Sequence, residues 1–133
     1  MTWSVIILPQ ADQELDELGG GDTKRREELE DGILDEFEGM KGDRVTKLFR
    51  QGVTTASIDR LEGSQFHGSI RVQIFADYRA TVLCFPEYEQ AYVMHVFHKS
   101  QDPKYKSALP THDKRVAEFV DSFFGFVNKK RRR

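Results

Sequence analysis

This sequence holds one cysteine, one tryptophan and four prolines in 133 residues. Cys84 alone cannot form an internal disulfide, which excludes a disulfide-stapled secreted scaffold and makes a reducing cytosol its simplest home. No apolar run approaches the roughly 20 residues of a membrane helix. The N-terminus also lacks the basic-then-apolar layout of a secretion signal. A cytoplasmic protein with no membrane partner is therefore expected. Internal repeats are absent too, which excludes a solenoid or propeller. With 38% hydrophobic and 32% charged residues, the composition is that of one soluble domain with a modest core, not of a disordered chain.

A net charge of −2 conceals a strong asymmetry. Residues 1–43 carry thirteen acidic and four basic side chains, a net of −9, so the remainder carries +7. Such a bipolar chain suits a polyanion on its basic part, where local field matters more than total charge; solvated acidic helices and a solvated basic tail give the same numbers.

Hydrophobic patterning gives the order of elements. Trp3–Leu8 is β-branched and apolar and stops at Pro9, a first strand. Gln10–Leu18 reads as a short helix ending at three glycines, Gly19 to Gly21. Asp22 or Thr23 can cap a second helix, with Leu29, Ile33, Phe37 and Met40 on one apolar stripe. Residues 42–52 read as a connector with Val45, Leu48 and Phe49 tucked inward, and residues 41–57 fit either a helix or a loop. Strands are expected over Ile58–Leu61, Phe66–Ala76, Tyr78–Phe85 and Gln90–His98, joined by turns at Asp77 and Pro86–Glu89 into an antiparallel meander. Thr111 is a plausible cap for a last helix carrying Val116, Phe119, Val120, Phe123 and Val127. The fold class expected is α+β: an N-terminal strand and a helical hairpin packed on an antiparallel β-sheet, with a C-terminal helix and the helices on one face. Residues 1–128 form the single domain and 129–133 read as a disordered basic tail.

Four segments, in this order, resemble the RelE/HigB-like toxins of bacterial and phage type II toxin–antitoxin systems, within the RelE/ParE superfamily. WSVIILPQADQELDEL resembles the family's opening strand and helix. LEGSQFHGSIRVQIFADYRATVLCF resembles its paired strands, with the Tyr-Arg dipeptide at the start of the second. AYVMHVFHKSQDPKY resembles its last strand and the loop after it, and the amphipathic C-terminal helix is the fourth. The likeness covers most of the chain except residues 41–57 and the tail. It implies ribosome-associated mRNA cleavage restrained by a cognate antitoxin protein, commonly with a helix-turn-helix domain.

Metal-independent ribonucleases use the RNA's own 2′-hydroxyl as nucleophile, with a base near that oxygen, cations for the charge on phosphorus and an acid for the leaving 5′-oxygen. The basic half shows no Asp, Glu, His or Cys cluster at metal-ligand spacing, so neither a metal nor another cofactor is expected. The resemblance gives Arg79 and Lys99 as phosphate ligands and Tyr105 as a residue that stacks on a base or assists proton transfer. Each has a plainer alternative: a strand arginine paired with Asp77, a solvated lysine, a loop tyrosine packed on the last helix. Arg71, Lys104 and Lys106 are candidates for substrate binding. Arginine hardly deprotonates, so Arg71 is a poor base. His67 and His98 are the candidate proton carriers, His95 reads as structural and His112 as part of the last helix cap. Ser69 stands where some family members have a basic residue, and Pro110 interrupts the approach to the last helix.

The leading function is thus the toxin component of such a system, an mRNA endonuclease acting at the ribosome, with mRNA, the ribosome and the antitoxin as partners. Two other functions fit the same fold: a ParE-like inhibitor of DNA gyrase that cleaves nothing, and an inactive phage or regulatory relic.

Overall fold

A computed structural model describes the backbone of residues 3–131 and the side chains of residues 3–122. Four helices and a five-stranded mixed sheet make an α+β fold, as the sequence pattern predicts. Among the described residues no helix is long and apolar enough to cross a membrane.

The opening apolar run forms β1 (Ser4–Ile7), and Pro9 then opens α1 (Pro9–Gly19) at the first helical position, where a missing N–H costs nothing. Gly20, in the left-handed region at φ 62°, closes α1 by donating to the Asp16 and Glu17 carbonyls. Asp22 caps α2 (Thr23–Asp35), its carboxylate accepting from the Lys24 and Arg25 amides at 3.0 and 3.3 Å. Arg26 ties the helical hairpin together through Asp12 and Asp16 on α1 and Glu30 one turn on.

The apolar stripe expected to run through Met40 ends sooner. A turn at residues 36–38 separates α2 from α3 (Gly39–Gln51), which shifts the period: Phe37 is fully buried, whereas Met40 is 83% exposed. The expected connector is therefore largely helix, and Val45 and Leu48 still point inward with Phe49 half-buried against the core. A Cβ on Gly42 would lie 2.5 Å from the Phe37 carbonyl oxygen, so glycine lets α3 close against that turn.

The sheet runs β1-β5-β4-β3-β2, with β2 (Ile58–Arg60), β3 (Ser69–Ile74), β4 (Tyr78–Phe85) and β5 (Gln90–His98). The meander β2 to β5 is antiparallel, but β1 joins β5 in parallel, from Ser4 opposite Gln90 to Ile7 opposite Val93. The sheet is thus mixed. β3 begins at Ser69, not Phe66, because the Ser64 hydroxyl, held by Asp113 of the last helix at 2.6 Å, accepts from the Phe66 amide and bends the chain there.

The two faces differ. Ile70, Val72, Ile74, Tyr78, Ala80, Val82, Ala91, Val93 and Val96 face α1 to α3 in the main core. On the other face α4 (Ala108–Arg131) covers Leu83 and Met94 with Val116, Phe119 and Val120. Helices therefore lie on both faces, contrary to the single helical layer expected, because β4 and β5 bury apolar residues at both alternations. Helix α4 starts at Ala108, ahead of the Thr111 cap expected. The Asp102 carboxylate accepts from the Lys106, Ser107 and Ala108 amides at 2.6–2.9 Å, and Pro110 falls in the first turn, where its missing N–H is not needed. The helix takes in residues 129–131 of the expected tail; residues 132–133, like the side chains of Phe123 and Val127, lie outside the described residues.

His112 is not a cap residue. It is fully buried, Nδ1 lying 2.8 Å from the Thr81 hydroxyl and Nε2 2.8 Å from the Ser69 hydroxyl. Burial pulls its pKa down to about 4, so it packs as a neutral ring bridging α4 to the sheet.

Candidate nucleic-acid interface

Helix α4 covers only part of its face of the sheet. Toward the β3–β4 turn that face stays open, and cross-strand register fills it with polar side chains. Asp59 is opposite Arg71, Gln73 opposite Arg79, and Arg79 opposite Phe97, so these residues share the face that α1 to α3 do not cover. The loop after β5 folds back over them and brings Tyr105 onto the face.

Tyr105 adopts a left-handed backbone at φ 59°, uncommon for a bulky residue. Its amide donates to the Asp102 carbonyl and its own carbonyl accepts from Leu109, which pins it between the Asp102 cap and α4. Its ring meets Phe97 edge-on at 5.5 Å, and the Arg71 guanidinium carbon lies 5.6 Å from its centre. Burial pushes the Tyr105 hydroxyl up in pKa, against the pull of Arg79 and Arg71, so the phenol stays protonated at neutral pH.

A cleft of about 240 Å³ lies beside Tyr105, lined by Thr55 to Asp59 on one side and by Arg71, Gln73, Arg79 and Pro103 on the other. Arg79 donates one nitrogen to the Ala76 and Tyr78 carbonyls at 3.1 and 2.8 Å. That fixes the stem of its guanidinium and leaves the fork's other donors for a ligand. Arg71 pairs with Asp59 at 3.1 Å.

The other predicted residues scatter. Lys99 stands just past β5, its amide donating to the Asp77 carbonyl and its ammonium 3.3 Å from the Asp77 carboxylate, at the rim of the open face. Lys104 and Lys106 are exposed in the loop flanking Tyr105. His98 points the other way: it meets Tyr78, a main-core residue, edge-on at 5.1 Å and bonds Ser100 at 2.8 Å. His67 lies in the loop before β3, lining a separate cavity of about 750 Å³ with Phe49, Arg50 and Arg60. Neither histidine joins Arg79. Ser69, under His112 and 3% exposed, is not on the open surface either.

Three groups escaped the sequence reading. Gln73 had a signal, since it alternates with Arg71 along one strand. Asp59 had none, because its pairing across β2 and β3 is a matter of register. The third is a clamp at the edge of the sheet. Strand β1 stops opposite Val93, so the Val96 amide has no strand partner, and the Glu14 carboxylate accepts from it at 3.2 Å. The same carboxylate meets His95 Nδ1 and Arg115, each at 2.7 Å. Burial works against ionising Glu14, but the bonds from His95 and Arg115 outweigh it and hold the carboxyl below its usual range.

The chain resembles a solved structure of the E. coli toxin RelE, a doubly arginine-to-alanine-substituted form in the free state. The likeness has a TM-score of 0.54 at 17% identity and covers 87% of this chain and 99% of that one. At that identity it shows a shared fold, the RelE-like α+β arrangement. No protein family and no curated protein matches the sequence.

Proposed function

We propose that this protein is the toxin of a type II toxin–antitoxin pair and an endoribonuclease that cuts mRNA at the ribosome without a metal. The observation that carries this reading is the open cleft in which Arg71 and Arg79 flank Tyr105. Two guanidinium groups supply bidentate contacts to phosphate oxygens and stabilise charge that develops on phosphorus. A tyrosine ring on the same surface supports a stacked base, and Phe97 keeps that ring upright. The fold shared with a protein whose name is toxin RelE supports the same assignment.

In this reading the RNA's 2′-hydroxyl attacks the neighbouring phosphorus, Arg79 grips the scissile phosphate, and Lys99 at the rim steers the strand. The His98 ring is turned to the opposite side of the sheet and His67 lines another cavity, which weighs against both as proton carriers. The expected partner besides RNA and ribosome is a small antitoxin bound across the basic face. The protein works in the cytoplasm.

The test is ribosome-programmed mRNA cleavage by wild type, Arg79→Ala and Tyr105→Phe. Wild type should cut within the ribosomal A site and Arg79→Ala should lose at least tenfold in kcat. Equal cleavage by Arg79→Ala would remove the site assignment. Growth arrest with intact mRNA and inhibited gyrase would favour the ParE-like inhibitor, and absence of arrest in cells lacking any antitoxin would favour an inactive relic.

A further inference from the structure

The nuclease reading leaves one role empty: the base that takes the proton of the 2′-hydroxyl. Four residues lining the cleft beside Tyr105 carry ionisable side chains, namely Asp59, Arg71, Arg79 and Tyr105. Arginine does not deprotonate at working pH. Tyr105 holds its proton more tightly than a free tyrosine. The neighbouring carboxylates do not line the cleft: Asp102 accepts from three backbone amides at the start of α4, and Asp77 faces Lys99.

Resting on the nuclease reading, we propose that Asp59 is the general base of the reaction. Its side chain is fixed from two sides. Oδ2 accepts from Arg71 at 3.1 Å and Oδ1 from the Arg60 amide at 2.7 Å, yet the residue is only half-buried and lines the cleft. A carboxylate has further lone-pair sites beyond those two contacts, so it can accept a hydroxyl proton without breaking either. Arg71, lying between Asp59 and the Tyr105 ring, sets the carboxylate beside the spot where a ribose would sit if its base stacks on Tyr105 and its phosphate meets Arg79.

The step balances. The 2′-oxygen passes its proton to Asp59 as it bonds to phosphorus, and the bond from phosphorus to the 5′-oxygen breaks. The leaving 5′-oxygen takes a proton from water, and Asp59 returns its own to the hydroxide left behind. The products are a 2′,3′-cyclic phosphate and a 5′-hydroxyl, with no oxidant, reductant or metal required.

The experiment measures kcat and KM against pH on ribosome-bound mRNA for wild type, Asp59→Asn, Asp59→Glu, Arg71→Gln and the Asp59→Asn/Arg71→Gln double variant, each checked for folding by circular dichroism. Asp59→Asn should lower kcat about 10²–10⁴-fold with KM little changed, the usual worth of a general base. Its rate should no longer rise with pH along the acid limb, and Asp59→Glu should restore both rate and limb in part. If Asp59 served only to hold Arg71, Asp59→Asn would add nothing on the Arg71→Gln background; a base there lowers the rate further. Wild-type kcat and pH profile in Asp59→Asn, while Arg79→Ala is inactive, would overturn this inference and leave the nuclease reading standing. Wild type that cuts no mRNA would overturn both.

Discussion

The Nε2 atom of His112 lies 2.8 Å from the Ser69 hydroxyl, so a residue at the start of β3 is tied to α4 beneath the surface and does not face outward. The Ser69 hydroxyl in turn donates to the Ser64 oxygen at 3.0 Å, and Ser64 donates its own proton to the Asp113 carboxylate at 2.6 Å. The network therefore fastens the second layer of the fold at one spot.

The first prediction concerns acid stability. An unfolded histidine takes up a proton as the pH falls through about 6.5, whereas His112 in the folded protein waits until about 4. The unfolded state binds more protons between those values. The contribution of His112 is then fully present above pH 6.5 and is lost as the pH falls toward 4, in all about 3 kcal/mol. Urea unfolding at pH 7.5 and pH 4.5 should show the loss, and His112→Gln should flatten it while lowering stability at pH 7.5. A wild-type curve no steeper than that of the variant would refute it.

Glu14 ties α1, the free edge of β5 and α4 at once. Removing it leaves the Arg115 charge and the Val96 amide without their partner. We expect Glu14→Ala to cost about 2–4 kcal/mol by denaturant midpoint, somewhat below the roughly 3–5 kcal/mol for a fully buried pair because Glu14 keeps some exposure. Glu14→Gln should cost less, since an amide oxygen still accepts from the Val96 amide.

Gly42→Ala should destabilise, although alanine is the better helix former by about 1 kcal/mol. The new methyl would meet the Phe37 carbonyl oxygen at 2.5 Å and Trp3 Cδ1 at 3.3 Å. Thermal melts should show a net loss of about 1–3 kcal/mol. A higher melting temperature would mean the turn at residues 36–38 yields easily.

Tyr105→Ala and Tyr105→Phe should separate stacking from proton transfer. If Tyr105 supports a base, alanine costs about 1–3 kcal/mol in RNA binding and phenylalanine almost nothing. If the phenol delivers a proton, phenylalanine lowers kcat with binding intact. Fluorescence anisotropy with a labelled oligoribonucleotide, beside the cleavage assay, distinguishes them.

Helices and strands whose signals are local were readable. The Asp22 cap, the glycines closing α1, and β4 and β5 to the residue all follow from side chains a few positions apart. Residues 41–57 stayed open between helix and loop, because glycine-rich ends and a short apolar stripe suit either, and packing on Trp3 and Phe37 stabilises α3. In the cleft, Arg71, Arg79 and Tyr105, singled out by the family resemblance, lie together. His98 faces away from Arg79, because one residue of strand parity decides which face a side chain takes.

The sequence by itself determined the order of elements and the α+β class, since alternation and capping act over a few bonds; Arg79 and Tyr105 came from the family resemblance. Only the tertiary structure decided that β1 runs parallel to β5, that α4 covers the far face, and that Asp59 and Glu14 meet Arg71 and His95. Those contacts join residues 12 and 81 positions apart. Strand register and the layering of helices on the sheet set them, and no local preference encodes either.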